Sequence, residues 1–114
     1  MPDCLFCKIV DGQIPAKVVH RDELCLGFAD INPQAPLHVL FIPLKHIASI
    51  NESTVEDREV LGHLFYAAQK VAKENGFDES GFRCVVNTNS DAGQTVFHIH
   101  LHLIAGRKMT WPPG

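Results

Sequence analysis

The chain has no apolar run approaching the ~20 residues a membrane-spanning helix needs, so no membrane is expected as a partner. It has no excess of positive charge either. Ten Lys and Arg stand against 13 Asp and Glu, a net charge of −3, which gives no basic stripe for nucleic acid to bind. Internal repeats, low-complexity tracts and linkers are absent. The opening Met1-Pro2-Asp3-Cys4 lacks a basic region followed by an apolar stretch, so no secretory signal is expected. Four cysteines without such a signal suit the reduced thiols of a cytoplasmic protein. What remains is one globular domain, 1–114, at 46% hydrophobic and 20% charged residues. A chain of this length buries roughly two-thirds of its unfolded surface.

Histidine is what the chain does have. Three of its seven occupy alternate positions in Phe97-His98-Ile99-His100-Leu101-His102-Leu103-Ile104. Side chains on a strand alternate between two faces, and the pattern predicts a strand over 97–104. Phe97, Ile99, Leu101 and Leu103 then face a core, and His98, His100 and His102 share the other side. A helix would set His98 and His102 together and His100 nearly opposite. Metal binding is one reading, but strand residues i and i+4 lie about 13 Å apart, which strains convergence on one zinc with bonds of about 2.0–2.1 Å. Nucleophilic catalysis is the second: imidazole is largely unprotonated at pH 7, and the central one can form a covalent intermediate. The third is a sheet face that is merely histidine-rich.

Upstream, the nine residues Asn87 to Thr95 form a polar, turn-forming loop between two apolar runs. Gly93 admits close backbone approach, and successive N–H groups of such a turn can cradle an anion. Thr95 adds a hydroxyl and Asn87 an amide; an ordinary hairpin loop is the alternative. Cys4-Leu5-Phe6-Cys7 offers two thiolates, where a structural zinc wants four ligands. A redox pair fits less well, because the motif opens the chain instead of joining a strand to a helix. His20, His38 and His63 read as surface or interface histidines, Cys25 and Cys84 as small buried hydrophobes, and Gly62 as a point of close packing.

The element order is α+β. A short helix is expected over 5–10, ending near Asp11-Gly12. Strands are expected over 18–20, 24–29, 37–43, 82–88 and 97–104, with a long helix over 53–75. For that helix Ser53 and Glu56 offer a capping box. Its apolar stripe runs through Val60, Leu61, Leu64, Phe65, Ala68, Val71 and Ala72, and Asn75-Gly76 stops it.

His98-Ile99-His100-Leu101-His102-Leu103-Ile104 resembles the signature of the histidine triad (HIT) superfamily. Asp30-Ile31-Asn32-Pro33-Gln34-Ala35-Pro36, Ala92-Gly93-Gln94-Thr95 and Trp111-Pro112-Pro113-Gly114 resemble its Hint branch, the purine nucleoside phosphoramidases. The likeness extends from Phe6 to Gly114.

The resemblance implies a HIT-like fold, a five-stranded antiparallel sheet with one long and one short helix, and a homodimer joining two sheets into one of ten strands. It implies hydrolysis of adenosine 5′-phosphoramidates to AMP through a nucleotidyl-histidine on His100, with His102, Thr95 and Asn87 assisting. Asn87, His102 and the backbone of Gly93, Gln94 and Thr95 would hold the phosphoryl group. Asp30 would take the ribose, and Leu5, Phe6, Ile9, Phe28 and Ile31 the purine. Residues 105–114, with Trp111, would reach toward the partner's site. Some similar proteins bind zinc, which here implies Cys4, Cys7, His46 and His98. The chemical step itself needs no cofactor. Other HIT chemistries stay open: dinucleoside polyphosphate hydrolysis, nucleotidyl transfer, or non-catalytic nucleotide binding. Ala92 and Ala105 stand where that branch often has glycine. Alanine resists positive φ, so local loop differences are expected at both.

Overall fold

A computed structural model describes residues 3–114. Strands β1 (Val18–Arg21), β2 (Cys25–Ala29), β3 (Leu37–Pro43), β4 (Phe82–Val86) and β5 (Leu101–Ala105) form one antiparallel sheet in the order β1-β2-β3-β5-β4. Helix α1 (Leu5–Val10) lies on one face and α2 (Arg58–Glu74) on the other.

Alternation along β3 divides the core. Val39 and Phe41 pack with Leu64, Ala68 and Val71 of α2, whereas Leu40 and Ile42 pack with Phe6 of α1. A strand covered on both faces reads as a continuous apolar run, which is why 37–43 was legible. Gly27 on β2 sits opposite Phe41 of β3. A Cβ there would lie 2.7 Å from the Phe41 ring, so only glycine admits that fully buried side chain.

Several boundaries differ from expectation. The long helix begins at Arg58, after 3₁₀ turns at Ile50–Glu52 and Val55–Asp57. The capping box that forms is Thr54 with Asp57, not Ser53 with Glu56, and it closes the second 3₁₀ turn, while the Asp57 N-cap of the long helix makes no side-chain cap bond. Ser53 Oγ donates back to the Ile50 carbonyl at 2.6 Å and is thereby consumed. Phe65 of the expected stripe is 52% exposed, and Gly62 has nothing within 4 Å of a would-be Cβ. β4 ends at Val86, short of Thr88.

The last strand starts only at Leu101, so of the three histidines just His102 lies on it. β3 and β5 pair no further than Phe41 with Leu101. Upstream the chain bends away from the ladder, held by Ile99 N–H on the Ile47 carbonyl at 2.8 Å. Phe97 is 49% exposed in that bend instead of joining the core, while Ile99, Leu101 and Leu103 are buried as expected. The two alanines cause no strain: Ala92 closes a 3₁₀ turn and Ala105 ends β5, and the positive φ falls on Gly93 (86°) and Gly106 (97°).

Candidate functional site

A cavity of about 410 Å³ opens on the α1 face of the sheet. Its walls include Leu5, Phe6 and Ile9 of α1, Phe28 of β2, Asp30 and Ile31 after β2, and Thr95, His100 and His102. Nine residues expected from far apart in the chain thus line one space. Ile14, Pro15, Ala16, Leu40 and Val96 line it as well; sequence reading missed them because short apolar side chains carry no chemical signal.

Hydrogen bonds fix the imidazole tautomers. His100 Nδ1–H donates to the His98 carbonyl at 2.9 Å, which leaves Nε2 carrying the lone pair. Among the described residues that Nε2 has no partner, and no buried side-chain N or O lacks one, so it opens on the cavity. The Gln34 backbone N–H donates to His38 Nδ1 at 3.0 Å, so His38 carries its proton on Nε2. That proton is donated to His102 Nδ1 at 2.9 Å, with Asp30 Oδ2 3.4 Å away. His102 therefore presents Nε2–H. Burial lowers His38 below its ordinary value against the opposing pull of Asp30. Burial, with His100 and His38 beside it, lowers His102 to about 4. His102 is a neutral donor at pH 7. His38, read from sequence as an ordinary histidine, is what orients it; its only sequence signal was a histidine within an apolar strand.

The Asn87–Thr95 loop departs from the expected cradle. Gly93 N–H donates to the Ser90 carbonyl at 3.0 Å and Gln94 N–H to that of Asn89 at 3.1 Å. The Gln94 side chain is buried, bonded to the Ala48 and Val96 carbonyls and accepting from Asn89 N–H. Gly93 and Gln94 are spent closing the turn, and neither lines the cavity. Thr95 does, and among the described residues its N–H has no partner. Asn87 also lies outside the cavity wall. It follows the end of β4 directly, where the β4–β5 ladder stops at Val86 and Leu101. Trp111, 83% exposed, borders a separate groove along β4 with Val86, Asn87 and Pro113.

Cys4, Cys7, His46 and His98 converge beside the cavity. Cys7 Sγ lies 3.3 Å from His46 Nδ1 and 3.5 Å from His98 Nδ1, Cys4 Sγ lies 3.4 Å from His98 Nδ1, and the two Nδ1 atoms are 3.3 Å apart. Zinc bonds of about 2.3 Å to sulfur and 2.0–2.1 Å to nitrogen give tetrahedral edges of about 3.6 and 3.3 Å. The donors fit zinc. His98 Nε2–H donates to the Pro43 carbonyl at 2.8 Å, which frees Nδ1 as a ligand atom. Burial lowers both His46 and His98, the latter to about 4, so each imidazole is neutral. Burial, together with the neighbouring Cys4, raises the Cys7 thiol.

A second cluster, His20, Asp22, Cys25 and His63, has different spacing. Both histidine Nε2 atoms lie 2.6–2.7 Å from Asp22 Oδ2. These are hydrogen-bond lengths, shorter than any zinc ligand edge. Two imidazoles read separately as surface or interface residues thus share one carboxylate, His63 tying the β1–β2 turn to α2 and His20 bonding Asp22 from β1.

The chain's relatives agree with this architecture. A HIT protein of Synechocystis, described as an uncharacterized HIT-like protein, is 49% identical over 112 residues, spanning 98% of this chain and 97% of its own. The crystal structure of a HIT family hydrolase from Legionella pneumophila superposes with a TM-score of 0.96 at 55% identity, covering 98% of this chain and 100% of that one. A zinc-bound histidine triad family protein from Mycobacterium smegmatis superposes with a TM-score of 0.80 at 34% identity, covering 93% and 76%. The HIT domain pattern itself matches residues 11–109. With this fold and these matches, the chain belongs to the HIT domain family.

Proposed function

We propose that the protein is a hydrolase of the Hint type, cleaving the P–N bond of purine nucleoside 5′-phosphoramidates, adenosine 5′-phosphoramidate among them, to release AMP. The observation that carries this reading is the His100 tautomer. Its Nδ1–H is held by the His98 carbonyl, so the Nε2 lone pair faces the cavity ready to attack phosphorus. A P–N(His) bond forms as the bond to the amine breaks, and water then hydrolyses the nucleotidyl-histidine, splitting one hard step into two easier ones.

His102 Nε2–H donates to a phosphoryl oxygen as charge develops there, the kind of preorganised contact worth several kcal/mol. The Thr95 hydroxyl passes a proton to the departing nitrogen and its N–H adds a further donor. Asn87, directly after β4, completes the phosphoryl contacts. Asp30, whose Oδ1 accepts from Asn32 N–H at 2.8 Å, presents its carboxylate to the ribose hydroxyls. The purine lies between Leu5, Phe6, Ile9, Phe28 and the fully exposed Ile31. An apolar slot of this kind reads the shape of a base and discriminates weakly among purines.

Cys4, Cys7, His46 and His98 hold a zinc ion, which with four protein ligands is structural and adds no step to the reaction. The zinc-bound Mycobacterium smegmatis relative and the donor spacing support this. The working form is a homodimer in the cytoplasm. Exposed Phe65 and Tyr66 on α2 and the unpaired edge of β4 are the faces a partner covers. The tail, anchored by Arg83 to the Thr110 carbonyl at 3.0 Å, then carries Trp111 toward the partner's site.

Incubation with adenosine 5′-phosphoramidate tests the reading, with His100→Ala alongside. Wild type should release AMP and the variant should not. Wild type that binds AMP but releases none from the phosphoramidate would end the P–N assignment.

A further inference from the structure

The metal donors and the purine wall share one helix. Cys4 caps α1 and Cys7 lies in its first turn, while Leu5, Phe6 and Ile9 of the same helix line the cavity. Phe6 stands edge-on to Phe28 at 5.4 Å and to His100 at 5.2 Å, so the helix position sets the cavity's shape. α1 has six residues, far fewer than the ~12–15 an isolated helix needs in water. Its docking must come from outside itself. Packing of Phe6, Ile9 and Val10 supplies part, and the donor cluster gathers at its head.

His98 is the second link. Its Nδ1 faces the donor cluster, its Nε2–H holds the Pro43 carbonyl, and its own carbonyl accepts from His100 Nδ1. Removing a metal would take away one of the two supports of the His98 ring and leave the other.

We propose that the metal at Cys4, Cys7, His46 and His98 sets nucleoside affinity by fastening α1 as the purine-side wall. The four donors are positioning residues for the cavity. With the metal bound, α1 stays docked and the wall is complete. Without it α1 undocks, and His100 stays oriented because Pro43 still holds His98. The inference rests on the nucleotide-binding reading above.

The test compares full-length protein loaded with zinc and stripped by a chelator. AMP affinity is measured by calorimetry, steady-state kinetics with adenosine 5′-phosphoramidate, and hydrogen exchange at the amides of both helices. Stripping should weaken AMP binding about tenfold, as expected for a wall docked about a tenth of the time. KM should rise to match, with kcat nearly unchanged. Amides of α1 should exchange faster while those of α2 stay protected, and returning zinc should reverse every change. Phe6→Ala in the loaded protein, which thins the wall and spares the donors, should raise KM in the same way.

Equal AMP affinity with and without zinc overturns the inference and leaves the nucleotide reading intact. Loaded protein that binds no AMP overturns the nucleotide reading and this inference with it. A fall in kcat at constant KM places the metal's effect on His100 and overturns a wall-fastening role. Loss of protection in α2 on stripping makes the metal a requirement of the whole fold, which overturns it too.

Discussion

His38 Nε2 donates to His102 Nδ1 at 2.9 Å, and the Gln34 backbone N–H at 3.0 Å on the far side of His38 fixes the direction of that proton. The three groups form a one-way chain that ends in an N–H facing the cavity. His38→Phe removes the donor and frees His102 to adopt either tautomer. A direct contact to developing charge is worth about 10²–10³ in kcat, and His38, acting through another residue, should cost less, about tenfold. Kinetics should show kcat falling with AMP affinity nearly preserved. An unchanged kcat would separate His38 from the chemistry.

Acid should weaken the fold through His102. Its folded value is about 4 against an ordinary 6.5, so between those limits the unfolded chain binds more protons than the native one. The stability contribution is complete above about 6.5, declines as pH falls toward 4, and is flat below. At about 1.4 kcal/mol per pH unit the full difference is about 3–4 kcal/mol, and solvent screening of this half-buried ring reduces it to about 1–3 kcal/mol. His102→Gln should reduce the slope of that part of a plot of denaturation midpoint against pH, the remainder belonging to His98, which burial also lowers to about 4. Parallel wild-type and variant curves from pH 7 to 4 would contradict the assignment.

Asp22 is expected to matter at lower pH. Burial pushes its carboxyl up, but hydrogen bonds from His63, His20, Leu24 N–H and Cys25 N–H prevail and hold it well below 3.8. A depressed carboxyl stabilises the fold above its unfolded value of about 3.9 and loses that contribution as pH falls through the folded one. Asp22→Ala should destabilise by about 1–3 kcal/mol at pH 7 by stripping two imidazoles and two amides of their acceptor, with the loss shrinking in strong acid. Chemical denaturation at pH 7 and pH 3 measures both. Equal losses at the two pH values would show that the charge is not the source.

Truncation after Thr110 should leave the melting temperature almost unchanged, because Trp111 is exposed and touches no core cluster. The ratio of kcat/KM between phosphoramidates of different amines should change several-fold, an order set by the ~1–3 kcal/mol that pocket contacts supply. A uniform change across all amines would remove the tail from substrate choice.

Local pattern by itself determined a good deal. The apolar run of β3, the Leu64, Ala68, Val71 and Ala72 positions of the α2 stripe and the alternation of Ile99, Leu101 and Leu103 each follow from one side-chain periodicity meeting one core. The histidine motif marked His100 for the same reason, since alternation put it opposite the greasy face. Tertiary structure decided what no spacing encodes. That 97–100 leaves the ladder depends on bonds to Ile47 and Pro43, some 50 residues away in sequence. That Gly93 and Gln94 close their own turn instead of cradling an anion depends on where the buried Gln94 side chain finds its partners. His38, His20 and His63 looked alike because an imidazole's role is set by its neighbour: a second imidazole for the first, one shared carboxylate for the other two. Hydrogen-bond partners distant in sequence are brought together by strand order and helix docking, and those were fixed by the packing of both sheet faces.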